Sequence, residues 1–273
     1  MLEIRTIAET YALKELLQHS LLKNFSASLS LAIVGSVASG HADEHSDIDL
    51  LAVLPDTEFS QLSCTLKENP HLNSDLPSIV ENTTPEITTK IRAINWIIDE
   101  VDRDFVIMSY ILSTAKIILD PLNILSELSI RTSDRFDSSV TRILLDELAL
   151  FRNDLYWIEQ HSQRGDQFAI PGLLTRASFL QRALQLSFLA DGRPYPYRKW
   201  IWKQMQETSI GKQLSHHAQE FAATALPYPV TYTVSHCIAF YDSVVTLLHS
   251  QLPNMNILPK FRYDSDNYYN LLK

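Results

Sequence analysis

The sequence predicts an α+β fold: a small mixed sheet flanked by helices, followed by a C-terminal helical bundle. Three observations predict it. Apolar, β-compatible runs fall at residues 29–34, 47–54 and 87–99, all early in the chain. From residue 123 onward the apolar residues recur at helical spacing instead. The length of 273 residues suits one large or two modest domains, and a 45% hydrophobic content can fill their cores. The change of period places the boundary near Leu122, dividing the chain into residues 1–122 and 123–273.

Residues 7–22 carry Ile7, Tyr11, Leu13, Leu16, Leu17 and Leu21 with polar residues between, the spacing of a helix that covers one face of a sheet. His19, near its end, reads as a surface residue. Residues 29–34 form a buried strand ending at Gly35. Gly35 and Ser36 open a tight turn whose backbone N–H groups can face a phosphate. Residues 39–46 are mostly polar, with Gly40, Asp43 and Glu44, and read as a surface loop. Residues 47–54 make the second strand. Asp47 and Asp49 lie two apart, so on a strand both side chains point to one face. Two carboxylates on one face repel each other, and a divalent cation between them relieves the repulsion. A phosphate-facing turn opposite such a pair is apparatus for phosphoryl or nucleotidyl transfer.

Residues 62–82 are polar and irregular, with Pro70 and Pro77, and read as a short helix and loops. Residues 87–99 read as the third strand. Asp102 and Asp104 suit a helix start, where carboxylates meet the positive end of the dipole. A helix is predicted over 105–112 and a short strand over 115–119, closed by a turn at Asp120-Pro121.

Gly35-Ser36 followed after about ten residues by Asp47-Ile48-Asp49 resembles the signature of the nucleotidyltransferase superfamily related to DNA polymerase β. Members include the bacterial enzymes that adenylylate aminoglycosides and lincosamides. The resemblance covers roughly the first 120 residues. It implies a nucleotidyltransferase fold for them and two-metal transfer of a nucleoside monophosphate from an NTP. Mg²⁺ is the implied cofactor, held by Asp47 and Asp49, and ATP is the expected nucleotide, bound with the help of Gly35, Ser36 and Ser46. The family places a third carboxylate on a following strand, in the middle of an apolar run. Matching that pattern to residues 87–99 puts Asn95 at the third catalytic position, where a neutral amide cannot serve as a base. The alternative is Asp99, on the same face but four residues on, roughly 13 Å away at strand rise.

The C-terminal half is predicted to hold helices over 140–161, 168–189, 210–224 and 230–251, packed as a bundle, with residues 253–273 as a tail. The loop over 189–200 contains Asp191-Gly192 and two prolines, and presents Arg193, Arg198 and Lys199 beside Tyr195, Tyr197 and Trp200. Its Pro-Tyr-x-Lys-Trp segment, and Arg164-Gly165-Asp166 before it, are similar to segments in the helical domain of a group of bacterial nucleotidyltransferases. Lys199 is therefore a candidate triphosphate contact, in a cleft between domains. A stapled loop between helices with aromatic packing accounts for the same residues.

The net charge of −9 speaks against a general nucleic-acid binder. Cys64 and Cys237 lack metal-ligand spacing, and no apolar run reaches the roughly 18 residues of a membrane span. A cytoplasmic protein is expected. The expected reaction is transfer to a hydroxyl or similar group of a small-molecule acceptor. Modification of tRNA or protein, as in toxin–antitoxin pairs, and non-catalytic nucleotide binding remain as alternatives.

Overall fold

The computed structural model describes residues 2–67, 77–165, 170–225 and 234–253. Five strands form one sheet: β1 (Ser30–Val34), β2 (Ile48–Leu54), β3 (Ser78–Glu81), β4 (Ile87–Ala93) and β5 (Lys116–Leu119). Their spatial order is β3-β4-β2-β1-β5. The β2–β4 pair is parallel and the other three pairs are antiparallel, so the sheet is mixed.

Helix α1 (Leu2–Lys14) begins earlier than its apolar spacing suggested, its predicted last turns hold a short 3₁₀ segment, Leu16–Gln18, and a second, Lys23–Phe25, follows them. The alternation of β2 sends Ile48, Leu50, Ala52 and Leu54 to one face, where they pack with Ala8, Tyr11 and Ala12 of α1. Leu51 and Val53 point to the other face. There they meet Ile97 and Val101 of α4 (Ile94–Arg103), Met108 and Leu112 of α5 (Phe105–Thr114), and Leu125 and Leu128 of α6 (Ile124–Arg164). A layer of helix on each side explains why β1 is buried along its whole length. Helix α3 (Asp56–Lys67) starts before the segment 62–82 predicted as a short helix and loops and supplies its helix, while β3 is a strand that this segment was not expected to hold.

The third predicted strand needs correction. Strand β4 ends at Ala93, and residues 94–103 are helix α4. Ile94, Ile97, Ile98 and Val101 recur at i, i+3, i+4 and i+7, and this stripe takes over where β-alternation stops. Ile97 and Val101 are buried in the core beneath the sheet.

By internal contacts the chain divides between Phe136 and Asp137, and α6 contributes to both units. The first turns of α6 dock within the first unit. Arg135 donates to Asp102 at 2.7 Å and lies over the Phe105 ring, whose centroid is 6.2 Å from that of Phe136. The second unit contains α7 (Ile170–Ala190), α8 (Arg198–Met205), α9 (Gly211–Ala225) and α10 (Val234–Gln251). Its core is aromatic: Phe151 stacks on Phe179 at 4.3 Å, and Phe221 on Phe240 at 4.7 Å. The predicted helix starts at 168 and 230, Asp166, and residues 254–273 of the tail lie outside the described residues.

Candidate active site

The turn after β1 and the start of β2 build the site. Gly35 has φ +72°, a conformation that side chains disfavour, and it opens the short helix α2 (Gly35–Ser39). β1 and β2 run antiparallel, and Val34 pairs with Asp49. The turn therefore returns directly onto the second carboxylate. A Cβ built on Gly35 would lie 2.9 Å from Asp49 Oδ2. The glycine is needed for its conformation and for its closeness to this oxygen.

Asp47 precedes β2 and Asp49 is its second residue. Asp47 is exposed, Ile48 buried and Asp49 half-buried, the alternation expected if both carboxylates share a face. The loop before them is fixed by its own side chains. Ser46 Oγ accepts from the Asp43 N–H at 2.9 Å and donates to Asp43 Oδ1 at 3.0 Å, while the His45 N–H donates to the same carboxylate oxygen at 3.1 Å. Ser46 is buried, and its hydroxyl shapes the approach to Asp47.

Asn95 does not stand beside these residues. Because β2 and β4 are parallel, Asp49 pairs with Thr88, and Ala93 pairs with Leu54 at the opposite end of β2. Five residues of strand separate those ends, about 16 Å. Asn95 lies beyond the far end, on α4, where its N–H donates to Asp56 Oδ1 at 3.1 Å. Asp99 lies further along the same helix. The third-position expectation is thus corrected for Asn95 and for Asp99 alike.

Thr88 and Lys90 are the residues of β4 that share the face of Asp49 at this end of the sheet. Lys90 Nζ donates to Asp49 Oδ1 at 3.1 Å, with Lys90 about half exposed and Asp49 less so. Nothing local in the sequence marks Lys90, since the family's pattern points to the middle of the apolar run over 87–99. A parallel partner instead brings the beginning of the third strand to the beginning of the second.

The donor set decides what cation chemistry fits. Asp47 and Asp49 suit one Mg²⁺ that arrives with a nucleotide, since Mg²⁺ is commonly bound by one or two carboxylates with phosphates and waters. Among the described residues, no group of three or more His, Cys, Asp or Glu side chains is placed to hold a metal. Lys199, the remaining predicted site residue, is exposed at the start of α8, with Nζ 5.5 Å from the Trp200 ring centroid. Nearby in sequence, Tyr195 is buried, and its hydroxyl donates to Glu147 at 3.4 Å. Much of the loop is therefore fastened by packing. Among the described residues no helix is long and apolar enough to cross a membrane.

The sequence profile of the family described as nucleotidyltransferase domain matches residues 14–130. No curated protein matches the chain. Among solved structures, a nucleotidyltransferase-like protein from Exiguobacterium sibiricum 255-15 is similar at 11% identity and a TM-score of 0.45, over 89% of this chain and 78% of that one. The matched residues contain the whole sheet, the Gly35 turn and both aspartates. Residues 14–130 accordingly match a nucleotidyltransferase domain, which supports the resemblance of this part of the chain to the nucleotidyltransferase superfamily.

Proposed function

We propose that the protein binds an NTP through Asp47, Asp49 and the Gly35-Ser36 turn, and transfers its nucleoside monophosphate to a hydroxyl or similar group of a small-molecule acceptor. The observation that carries this reading is the packing of Asp49 against the Gly35 backbone, within the residues that match a nucleotidyltransferase domain. In the reaction the acceptor oxygen attacks the α-phosphorus. The bond from the α-phosphorus to the bridging oxygen of the β-phosphate breaks, pyrophosphate leaves carrying that oxygen, and the acceptor's hydroxyl proton passes to solvent water. Mg²⁺, when bound, supplies charge neutralisation of the phosphates. The chain's own residues hold and orient: Asp47 and Asp49 fix the cation-bearing triphosphate, Gly35 lets backbone approach it, and Ser46 holds the loop that presents Asp47. Lys199 is assigned to the triphosphate as a charge-assisted donor. ATP is the proposed nucleotide, and the acid balance of the chain favours a cationic acceptor over a polyanion.

A second reading, nucleotide binding without transfer, is favoured by Lys90, which stands beside Asp49 where a further carboxylate would serve as base or metal ligand. Incubation with each labelled NTP, Mg²⁺ and a panel of acceptors, scoring pyrophosphate release, separates the readings. Release with a small molecule supports transfer to such acceptors. Release only with tRNA or protein shifts the acceptor class, and binding without release supports the second reading. Asp47→Asn and Asp49→Asn are expected to abolish Mg²⁺-dependent NTP binding with the fold intact, and Asn95→Ala to leave it unchanged. Survival of binding in both aspartate variants would place the site elsewhere.

A further inference from the structure

We infer that Lys90 is a nucleotide-binding residue whose ammonium stands in for a second metal ion, making this a one-cation site. The inference rests on the nucleotide-binding reading above. Three observations carry it. The parallel register puts Lys90 on the face of Asp49, at the end of the sheet where Asp47 also lies. Its Nζ is 3.1 Å from Asp49 Oδ1, so one side of that carboxylate already faces a positive charge. The other oxygen, Oδ2, faces Gly35, where a Cβ would come within 2.9 Å of it and push the carboxylate aside.

Two-metal centres hold their ions about 3.5–4 Å apart, bridged by shared carboxylates. A second dication at Asp49 would sit within a few ångströms of the Lys90 ammonium and be repelled by it. Lys90 also offsets the repulsion between Asp47 and Asp49 in the absence of any cation. An ammonium has three donors. Asp49 takes one, and the half-exposed side chain can present the others to phosphate oxygens of a nucleotide. A lysine in this position performs the electrostatic part of a second cation's work but cannot accept a proton from the acceptor while charged. The site is thereby built for gripping a triphosphate.

The test counts Mn²⁺ bound per chain by electron paramagnetic resonance in the presence of ATP, and measures ATP affinity calorimetrically, for the wild type, Lys90→Asp, Lys90→Met and Lys90→Arg. The expected results are one Mn²⁺ for the wild type and two for Lys90→Asp. Lys90→Met should bind ATP at least tenfold more weakly, with affinity largely restored in Lys90→Arg. Circular dichroism checks that each variant is folded, and Lys90→Met and Lys90→Arg keep the inference testable should Lys90→Asp fail to fold. Two Mn²⁺ in the wild type, a folded Lys90→Asp protein that still binds one, or wild-type ATP affinity in Lys90→Met would overturn it. If ATP binds the wild type and is lost in Asp47→Asn while these Lys90 results fail, only the Lys90 inference falls. If the wild type binds no ATP, the nucleotide-binding reading and this inference fall together.

Discussion

Gly35 is the residue on which the site geometry turns. Its left-handed backbone costs an L-residue about 1–2 kcal/mol, and a Cβ would press on a carboxylate oxygen rather than enter open space. The other left-handed glycines Gly40, Gly165 and Gly192 meet nothing within 4 Å of such a Cβ, so Gly35 alone among them couples a turn to the Asp49 carboxylate. Gly35→Ala is therefore expected to displace the Asp49 carboxylate and to weaken ATP affinity by a larger factor than its loss of stability accounts for. Isothermal titration paired with thermal unfolding checks this. A variant that loses stability but keeps its ATP affinity would make Gly35 a structural turn residue only.

At the scale of elements, the joints between strands and helices hold the domain in shape. Asp120 ends β5 and reaches into the start of α6, accepting from the Leu125 N–H at 3.2 Å, the Ser126 N–H at 2.9 Å and the Ser126 hydroxyl at 2.7 Å. It also accepts from Ser30 of β1 at 2.6 Å. One carboxylate thus joins an inner strand, an edge strand and a helix start, in keeping with the predicted turn role rather than with chemistry. Burial pushes its pKa up, but the hydrogen bonds from Ser30, Ser126 and Leu125 outweigh burial and leave it below the ordinary value. The folded state therefore holds this proton less tightly than the unfolded chain. The stabilisation is present above the ordinary carboxylate range and is lost as pH falls through it toward the depressed value. Asp120→Ala should cost about 1–2 kcal/mol at pH 7, the scale of a lost helix cap. The difference from wild type should shrink at pH 3, as read by urea denaturation. An equal difference at both pH values would show that the charge on Asp120 contributes nothing.

For the molecule as a whole, each unit has its own means of cohesion. The first is a sheet between two helical layers. The second is an aromatic core with a half-buried charge network, in which Arg182 of α7 donates to Glu147 at 2.6 Å and Asp154 at 3.0 Å of α6. Ser178 also donates to Asp154 at 2.8 Å. Burial nevertheless holds the Asp154 carboxyl above its ordinary pKa, with Ser178 and Arg182 acting against it. Lys199 is proposed as a triphosphate contact. Lys199→Ala is expected to weaken ATP affinity by about 1–3 kcal/mol, the range of a charge-assisted hydrogen bond. Unchanged calorimetric affinity would remove Lys199 from the nucleotide-binding set and leave it as a cation beside Trp200, as Lys203 is at 5.5 Å.

The sequence by itself determined the α+β class, the first two strands, the Gly35 turn and the spacing of Asp47 and Asp49. These are local patterns: alternation fixes which face a strand residue takes, and a glycine before a polar loop marks a tight return. Helices α7, α9 and α10 were legible for the same reason, since a period of 3.6 is written along the chain. The partner of Asp49 was not legible. Ile94, Ile97 and Ile98 prolong an apolar run that began as strand, so the run alone does not mark where β4 gives way to α4. Whether β4 ran parallel or antiparallel to β2 decided which of its ends met the carboxylates. Strand pairing joins residues far apart in sequence, and no local period encodes its direction. Only the tertiary structure, by placing Lys90 against Asp49 and carrying Asn95 to the far end of the sheet, decided that a cation stands beside Asp49 where the family resemblance had put a neutral amide.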